Sequence, residues 1–340
     1  MHPELFRIPF TDMTVKSYGT MMVLGFLAVM YVIRILSRRM GENAEHITTA
    51  ALYSLISGVL GARLFYVVHY WHQFSGENFF KIFALWEGGL ELLGGVITAI
   101  CVIAIYLRMQ KLPVRRYLDI LAIGLLLGLS FGRIGCFFNG CCFGKPTNLP
   151  IAITFPYNSI PHQSQVKPDH ERNRPKPYID LPAEFFGYLD GTGTWIPAPA
   201  PDKYSYHLKP FDLLSESQKL QVTHGEYKPL PVHPAQFYSS FSALMASLML
   251  YLWRRWGLKF EKQKIQPPFY LRAGSTFAMM FILYGVTRFM LEFVRDDNPF
   301  EFNGLTVSQN IGIVLVALGL LQIVIFAKIK PDRLSAENLT

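Results

Sequence analysis

Charge is scarce in this sequence: 16% of its 340 residues are Asp, Glu, Lys or Arg, against roughly a quarter in an average soluble domain. Together with 51% hydrophobic residues and a mean hydropathy of +0.25, that scarcity argues against an ordinary cytosolic enzyme. Cysteine is scarce as well, and four of them cannot staple a chain of this length into a disulfide-built secreted domain. The first apolar run lacks a basic stretch before it and a small-residue cleavage site after it, so it reads as a permanent span rather than a signal peptide. No apolar run shows the alternation of a barrel strand. With 27 Phe, 17 Tyr and 5 Trp, the chain has ample apolar surface to bury, which excludes disorder.

What is present is a series of long apolar runs. A helix crossing a bilayer core of about 30 Å needs about 20 mostly apolar residues. Seven runs meet that description, near 17–37, 47–70, 88–108, 117–138, 234–254, 272–295 and 306–328. Lipid admits only helices or closed barrels, so the fold class expected is an all-α polytopic membrane protein with about seven transmembrane helices.

The cations orient it. Arg34, Arg38 and Arg39 follow run one; Arg108, Lys111, Arg115 and Arg116 follow run three; Arg254, Arg255, Lys259, Lys262, Lys264 and Arg272 separate runs five and six; Lys328, Lys330 and Arg333 follow run seven. These are half of the 32 Lys and Arg, all on one side of a seven-span arrangement. The positive-inside rule puts that side in the cytoplasm, with the amino terminus outside and the carboxyl terminus inside. The basic pI is then mostly topology, and nucleic acid drops out as a partner. The resulting division is 1–140 with helices one to four, a polar extracytoplasmic segment 141–232, helices five to seven in 233–330 and a cytoplasmic tail 331–340. The segment 141–232 is rich in Pro, Asp, Lys and Tyr and resembles a folded or half-folded loop more than a domain with its own large core.

Ions inside spans are costly and mark function. Arg63, Arg133, Arg288 and Arg295 remain once topology is accounted for. Snorkelling to the interface suffices for Arg295, whereas Arg133 and Arg288 are candidates for function. Arg288, Glu292 and Arg295, spaced by four and three, share one helix face, with a self-neutralising ladder as the bland reading. The stretch Gly132-Arg133-Ile134-Gly135-Cys136-Phe137-Phe138-Asn139-Gly140-Cys141-Cys142-Phe143-Gly144-Lys145-Pro146-Thr147 packs glycines beside an arginine, which suits an anion. Its cysteines lack a paired C-x-x-C or a histidine partner, so they read as packing or a disulfide, with no metal. Trp86-Glu87-Gly88-Gly89-Leu90-Glu91-Leu92-Leu93-Gly94-Gly95 permits close helix packing, and His233-Pro234-Ala235-Gln236-Phe237-Tyr238 opens run five with an ordinary helix-start proline.

Taken in order, these stretches resemble the prolipoprotein diacylglyceryl transferase family. So do Tyr18-Gly19, Gly61-Ala62-Arg63-Leu64-Phe65-Tyr66, Asp119, Tyr284-Gly285…Arg288…Glu292-Phe293-Val294-Arg295 and Thr306-Val307-Ser308-Gln309. The resemblance covers nearly the whole chain except much of 148–231. It implies an enzyme of lipoprotein maturation in the bacterial inner (cytoplasmic) membrane, multi-pass, with its site toward the extracytoplasmic side. The diacylglyceryl group of phosphatidylglycerol passes to the lipobox cysteine thiol of a secreted prolipoprotein, and glycerol phosphate is released. Phosphatidylglycerol, prolipoprotein signal peptides and membrane lipids are the implied partners, and no cofactor is. Arg133 and Arg288 match the family's key arginines, with Tyr18, Asn139, Gly144, Glu292 and Arg295 as supporting matches. Arginine suits the task because its planar fork stays charged and binds phosphate bidentately.

Three positions depart from that pattern: Leu93 stands where the family often has a histidine proposed as thiol-activating base, Cys136 replaces an asparagine, and Cys141 an acidic residue. A thiol of pKa about 8.5 is mostly protonated near neutrality, so a proton acceptor is still wanted. His69, at the outer end of run two on the level of Arg133 and Tyr18, is the candidate catalytic base, against an interfacial histidine facing headgroups. Glu91 is the second candidate. The alternatives to the transferase are a paralogue with changed substrate and a membrane thiol-redox protein built on Cys136, Cys141 and Cys142.

Overall fold

A computed structural model describes residues 4–7, 14–74, 79–83, 89 and 91–329. Each of the seven apolar runs coincides with a long helix: α1 Ser17–Arg39, α2 Ala44–His69, α3 Leu92–Met109, α4 Val114–Asn139, α5 Ala235–Lys262, α6 Ser275–Leu291 and α7 Val307–Lys328. Four of them, α1, α2, α4 and α7, are long and apolar enough to cross a membrane. Helices α3 and α6 are apolar but shorter, and α5 runs on into the charged stretch Arg254, Arg255, Lys259, Glu261 and Lys262. The described residues contain only small open sheets, so the chain is a mostly helical protein with several apolar helices.

Local chemistry sets the helix ends. The Asn43 side chain accepts from Glu45 N at 2.7 Å and caps α2. Pro113 and Pro234 directly precede α4 and α5, where a proline's missing N–H costs nothing. At the start of α6 the buried Asp119 carboxylate accepts from Gly274 N and Phe277 N, each at 2.9 Å. Helix α6 ends at Leu291, four residues before the expected end of its run.

The chain divides into two compact units. The first comprises Met1–Gly25, Leu127–Ala246 and Phe281–Leu318, the second Phe26–Leu126, Ser247–Met280 and Gly319–Thr340.

In the first unit, strands β1 (Glu4–Arg7) and β2 (Thr14–Lys16) pair antiparallel ahead of α1. Its long polar segment is folded. Strands β3 (Phe186–Leu189), β4 (Trp195–Pro197) and β5 (His207–Leu208) form an antiparallel sheet in the order β4-β3-β5. They cover a core built on Val166, Leu181, Phe185, Phe186, Leu208 and Val222. A smaller core of Phe143, Phe155 and Val232 carries the chain out of α4 and back toward α5. The apolar residues of 141–232 are thus concentrated at positions that meet, which average composition conceals.

In the second unit, α2 and α3 approach through glycine. A Cβ on Gly61 would lie 2.1 Å from Thr98 Oγ1, and one on Gly95 would lie 2.8 Å from Gly58 O. Close packing is therefore what Gly94-Gly95 does. Arg63 is buried and donates to the carbonyls of Lys81, Ile82 and Gly89, which ties down the chain before α3. Arg116 and Arg254, expected as topology markers, are buried. Arg116 pairs with Glu42 and Glu261, each at 2.9 Å. Arg254 pairs with Glu261 at 2.8 Å and Asp119 at 3.6 Å.

Candidate active site

Helix α4 delivers Arg133 and Cys136 in its last two turns and ends at Asn139. Gly140, at φ +78°, then turns the chain, and Gly144 pairs antiparallel with Arg295. That pairing runs through Lys145 N to Val294 O at 2.8 Å and Asp296 N to Phe143 O at 3.2 Å. A Cβ on Gly144 would lie 2.5 Å from His233 Cβ and 2.9 Å from Val294 O. Gly144 is therefore buried between backbones, and its role is to let the chain that carries Arg295 come close.

Four of the expected residues meet here. Arg288 Nη1 lies 3.1 Å from Glu292 Oε2, and its Nη2 donates to Ser308 Oγ. Glu292 also accepts from Asn298. Arg295 grips Asp297 through two bonds, Nε to Oδ1 at 2.8 Å and Nη2 to Oδ2 at 2.7 Å. Arg288 lies within the electrostatic reach of both Arg295 and Arg133. Arg133 donates from Nη1 to Cys142 Sγ at 3.4 Å, while its Nε is buried without a hydrogen-bond partner.

Two expectations are corrected. Arg295 does not snorkel: it is buried and held by Asp297. The three-residue ladder on one helix face is not formed either, because α6 ends at Leu291 and only the Arg288–Glu292 pair remains.

Tyr18 and Asn139 lie at the margin, both exposed. The Tyr18 ring packs against Gly135, where a Cβ would approach Cδ2 to 3.0 Å. His69 belongs to the second unit. It is exposed and its Nδ1 lies 3.3 Å from Glu91 Oε2, so the two sequence candidates for a base are partners. Glu91 precedes α3 as its N-cap rather than lying on a helix face. Trp86, Glu87, Gly88 and the tail 331–340 lie outside the described residues, as does the side chain of Leu93. A cavity of about 510 Å³ in the second unit is lined by four of the orienting cations, Arg39, Arg255, Lys259 and Lys262, with Tyr251, and contains none of the candidate site residues.

Arg172, one of the cations of the long polar segment, does not stand out from its neighbours in sequence. It is buried and holds the turn after Arg295, donating to Arg295 O at 2.7 Å and to Asn298 O, with Asp296 at 3.4 Å. Burial pushes the Asp296 carboxyl above its ordinary range, against the pull of Arg172. The sulfurs of Cys136, Cys141 and Cys142 lie within 4.8 Å of one another. Hydrogen bonds from the Cys136 and Cys141 thiols, with Arg295 and Arg133 nearby, hold the Cys142 thiol well below the ordinary range. Gln236 Nε2 donates to Cys141 O at 2.8 Å, and His233 N to Lys145 O at 3.0 Å. The His-Pro-Ala-Gln stretch thus braces the cysteine loop.

The family model described as prolipoprotein diacylglyceryl transferase matches residues 3–325. The chain belongs to the prolipoprotein diacylglyceryl transferase family. Among curated relatives it is similar to a phosphatidylglycerol–prolipoprotein diacylglyceryl transferase of Clostridium tetani (strain Massachusetts / E88), 26% identical over 94% of this chain and 96% of that one. A protein of the same name from Prochlorococcus marinus (strain MIT 9301) is 27% identical over 91% and 88%. Another from Prochlorococcus marinus (strain MIT 9215) is 35% identical, over 44% of this chain and 54% of its own length. In this family member, the stretches that carry the resemblance divide by task. Arg133, Arg288 and Arg295 gather positive charge, while Gly144, Gln236 and Gly95 hold backbones close.

Proposed function

We propose that this prolipoprotein diacylglyceryl transferase holds the phosphate of phosphatidylglycerol on Arg133, Arg288 and Arg295 while its diacylglyceryl group moves to the lipobox cysteine thiol of a secreted precursor. The observation that carries this reading is an imbalance: three guanidiniums face two carboxylates, Glu292 and Asp297. The phosphodiester of the donor carries one negative charge and the departing glycerol phosphate approaches two. Fixed cations therefore hold the leaving group more tightly than the ground state, which is how such a site accelerates transfer. Glu292 orients Arg288, and Asp297 orients Arg295. Tyr18 and Asn139 offer a hydroxyl and an amide to the glycerol headgroup from the margin. Seven spans, an outside amino terminus and a cytoplasmic carboxyl terminus in a bacterial cytoplasmic membrane complete the proposal, supported by the cation distribution.

The test is Arg133→Lys, which keeps the charge and loses the fork. Lipidation of a reporter precursor by purified enzyme should fall on the order of a hundredfold, with weaker phosphatidylglycerol binding and an unchanged melting temperature. Parental rate and donor affinity in both Arg133→Lys and Arg288→Ala would remove the phosphate assignment. The thiol's proton is the other half of the reaction. His69, paired with Glu91 in the second unit, is one candidate acceptor, and the first unit contains another means of activation.

A further inference from the structure

The second half of the transferase reaction is the alkylation of a thiol, and the first unit contains three sulfurs that the phosphate reading does not use. Cys136 sits in the last turn of α4, and Cys141 and Cys142 follow the turn at Gly140. Adjacent residues of an extended chain point to opposite sides, so Cys141 and Cys142 would ordinarily diverge. They do not, because Cys142 adopts a left-handed backbone at φ +59°, a conformation that a residue with a Cβ adopts at a cost. That reversal brings all three Sγ atoms within 4.8 Å of one another. Gln236 fixes the loop by donating to Cys141 O at 2.8 Å. Packing alone does not require three sulfurs to converge at the expense of a strained residue.

We propose that Cys136, Cys141 and Cys142 are ligands to one zinc ion, whose open fourth position takes the thiol of the precursor's lipobox cysteine. Three thiolates around zinc at Zn–S about 2.3 Å lie roughly 3.8 Å apart, so the sulfurs seen here close on the ion by about half an ångström each. Zinc accepts an all-thiolate tetrahedral set, and a site with three protein ligands and one open position is the catalytic form. Three thiolates and a dication leave one net negative charge, two with the substrate bound. Arg133 Nη1, 3.4 Å from Cys142 Sγ, donates to one of the ligand sulfurs and so orients it. The same arginine belongs to the phosphate cluster, so the activated sulfur and the scissile ester share a neighbour.

The step balances as follows in bonds and charges. The precursor thiol displaces zinc-bound water and loses its proton to solvent as it coordinates, since a coordinating thiol is deprotonated outright. The bound sulfur attacks the glycerol carbon that carries the phosphate ester. A C–S bond forms, the C–O bond breaks, and its electron pair leaves on the glycerol phosphate oxygen beside the arginines. The neutral thioether dissociates and water returns to zinc, whose oxidation state does not change. Coordination to the metal makes a separate proton acceptor for the thiol dispensable. This rests on the transferase reading for the identity of the fourth ligand, but not for the three protein ligands.

The experiment uses the full chain purified in detergent under zinc-replete conditions. Elemental analysis should find about one zinc per chain, lost in Cys136→Ser and Cys141→Ser and kept in Cys101→Ser, whose parent thiol is an exposed residue of α3. Cobalt exchange should give the absorption of a tetrahedral thiolate site. A lipobox peptide should shift that spectrum, and the same peptide with serine for cysteine should not. Stripping zinc from the parent should lower transfer on the order of a hundredfold, with phosphatidylglycerol binding intact and rate restored by added zinc, so the test does not depend on a variant that folds. Metal-free protein that transfers at the full rate overturns the proposal and leaves the transferase reading standing. If His69→Ala then abolishes transfer, thiol activation belongs to His69. Zinc held by the three cysteines in a parent enzyme that transfers nothing would retire the transferase reading and the fourth-ligand assignment together. Cysteines recovered as a disulfide with no bound metal would favour thiol-redox chemistry and also overturn it.

Discussion

Both compact units bury charge, and they do it in opposite ways. In the second unit, Arg116 and Arg254 are shared among Glu42, Asp119 and Glu261, two guanidiniums among three carboxylates. Arg254 and Asp119 are almost wholly inaccessible, and Asp119 also caps α6 through two backbone N–H groups. Burial pushes the Glu42 carboxyl upward even beside Arg116, as expected where desolvation competes with pairing. In the first unit, Arg133, Arg288 and Arg295 outnumber Glu292 and Asp297. The second unit has a carboxylate to spare, and backbone N–H groups at the start of α6 take up Asp119, whereas the first has a guanidinium to spare, which suits an anion. The lesson is that burial of charge alone does not mark an anion site; a surplus of guanidiniums does.

Four perturbations break or sharpen that contrast, and a fifth sets its floor. Arg254→Ala should cause the largest loss, about 3–5 kcal/mol of stability, because it leaves the wholly buried Asp119 carboxylate without its counter-cation and Glu261 with Arg116 alone. Thermal unfolding in detergent measures it, and a parental midpoint would show that the second-unit network is not structural. Arg288→Ala should instead lower turnover by about a hundredfold to a thousandfold, the cost of removing one charge-stabilising donor, while the midpoint falls less than in Arg254→Ala, because Glu292 keeps the bond from Asn298. If it unfolds like Arg254→Ala and keeps its donor affinity, the two clusters are the same kind of thing.

The long polar segment supplies a buried polar group without charge. Burial lowers His162 to about 4 from its ordinary 6.5, and its Nδ1 accepts from Asn158 N at 3.2 Å. Between those values the unfolded chain binds the proton and the folded one does not. Stability should therefore be complete above about 6.5 and fall as pH drops toward about 4, by about 3 kcal/mol in all. Unfolding midpoints measured across that window should flatten in His162→Gln. Gly144→Ala should cost about 1–3 kcal/mol by overpacking and should lower activity more than stability alone explains, since Arg295 rides on the paired strand. Recovery of the parental rate once the variant is refolded would reduce Gly144 to packing. Removing the exposed Glu216–Lys219 pair with Glu216→Ala should leave both the midpoint and the rate unchanged.

The seven helices were legible because apolar runs of this length have one stable outcome in lipid, and each run matches a helix to within several residues. The end of α6 was misread, since Phe293 and Val294 continue the apolar pattern past Leu291 while the backbone turns to pair with Gly144. Arg133 and Arg288 stood out because an ion inside a span is rare. Arg172 could not, because a cation in a polar segment is unremarkable until the fold buries it against Arg295 O. The burial of Arg116 and Arg254 was hidden for the complementary reason. The positive-inside pattern accounts for them as a group, and their carboxylate partners are distant in sequence: Glu42 is 74 residues from Arg116.

By itself, then, the sequence determined what depends on neighbours along the chain: helix identity, the caps at Asn43 and before α4 and α5, the cation pattern and the short motifs that reveal the family. Tertiary structure alone decided which charges are answered. It set Asp119 under α6, Glu261 beside Arg116 and Ser308 on Arg288, and drew three sulfurs together around a left-handed Cys142. The physical reason is that hydrophobic length and capping are local quantities. The energy of a buried ion, by contrast, depends on the few atoms within about 4–6 Å, and those atoms come from wherever the fold brings them.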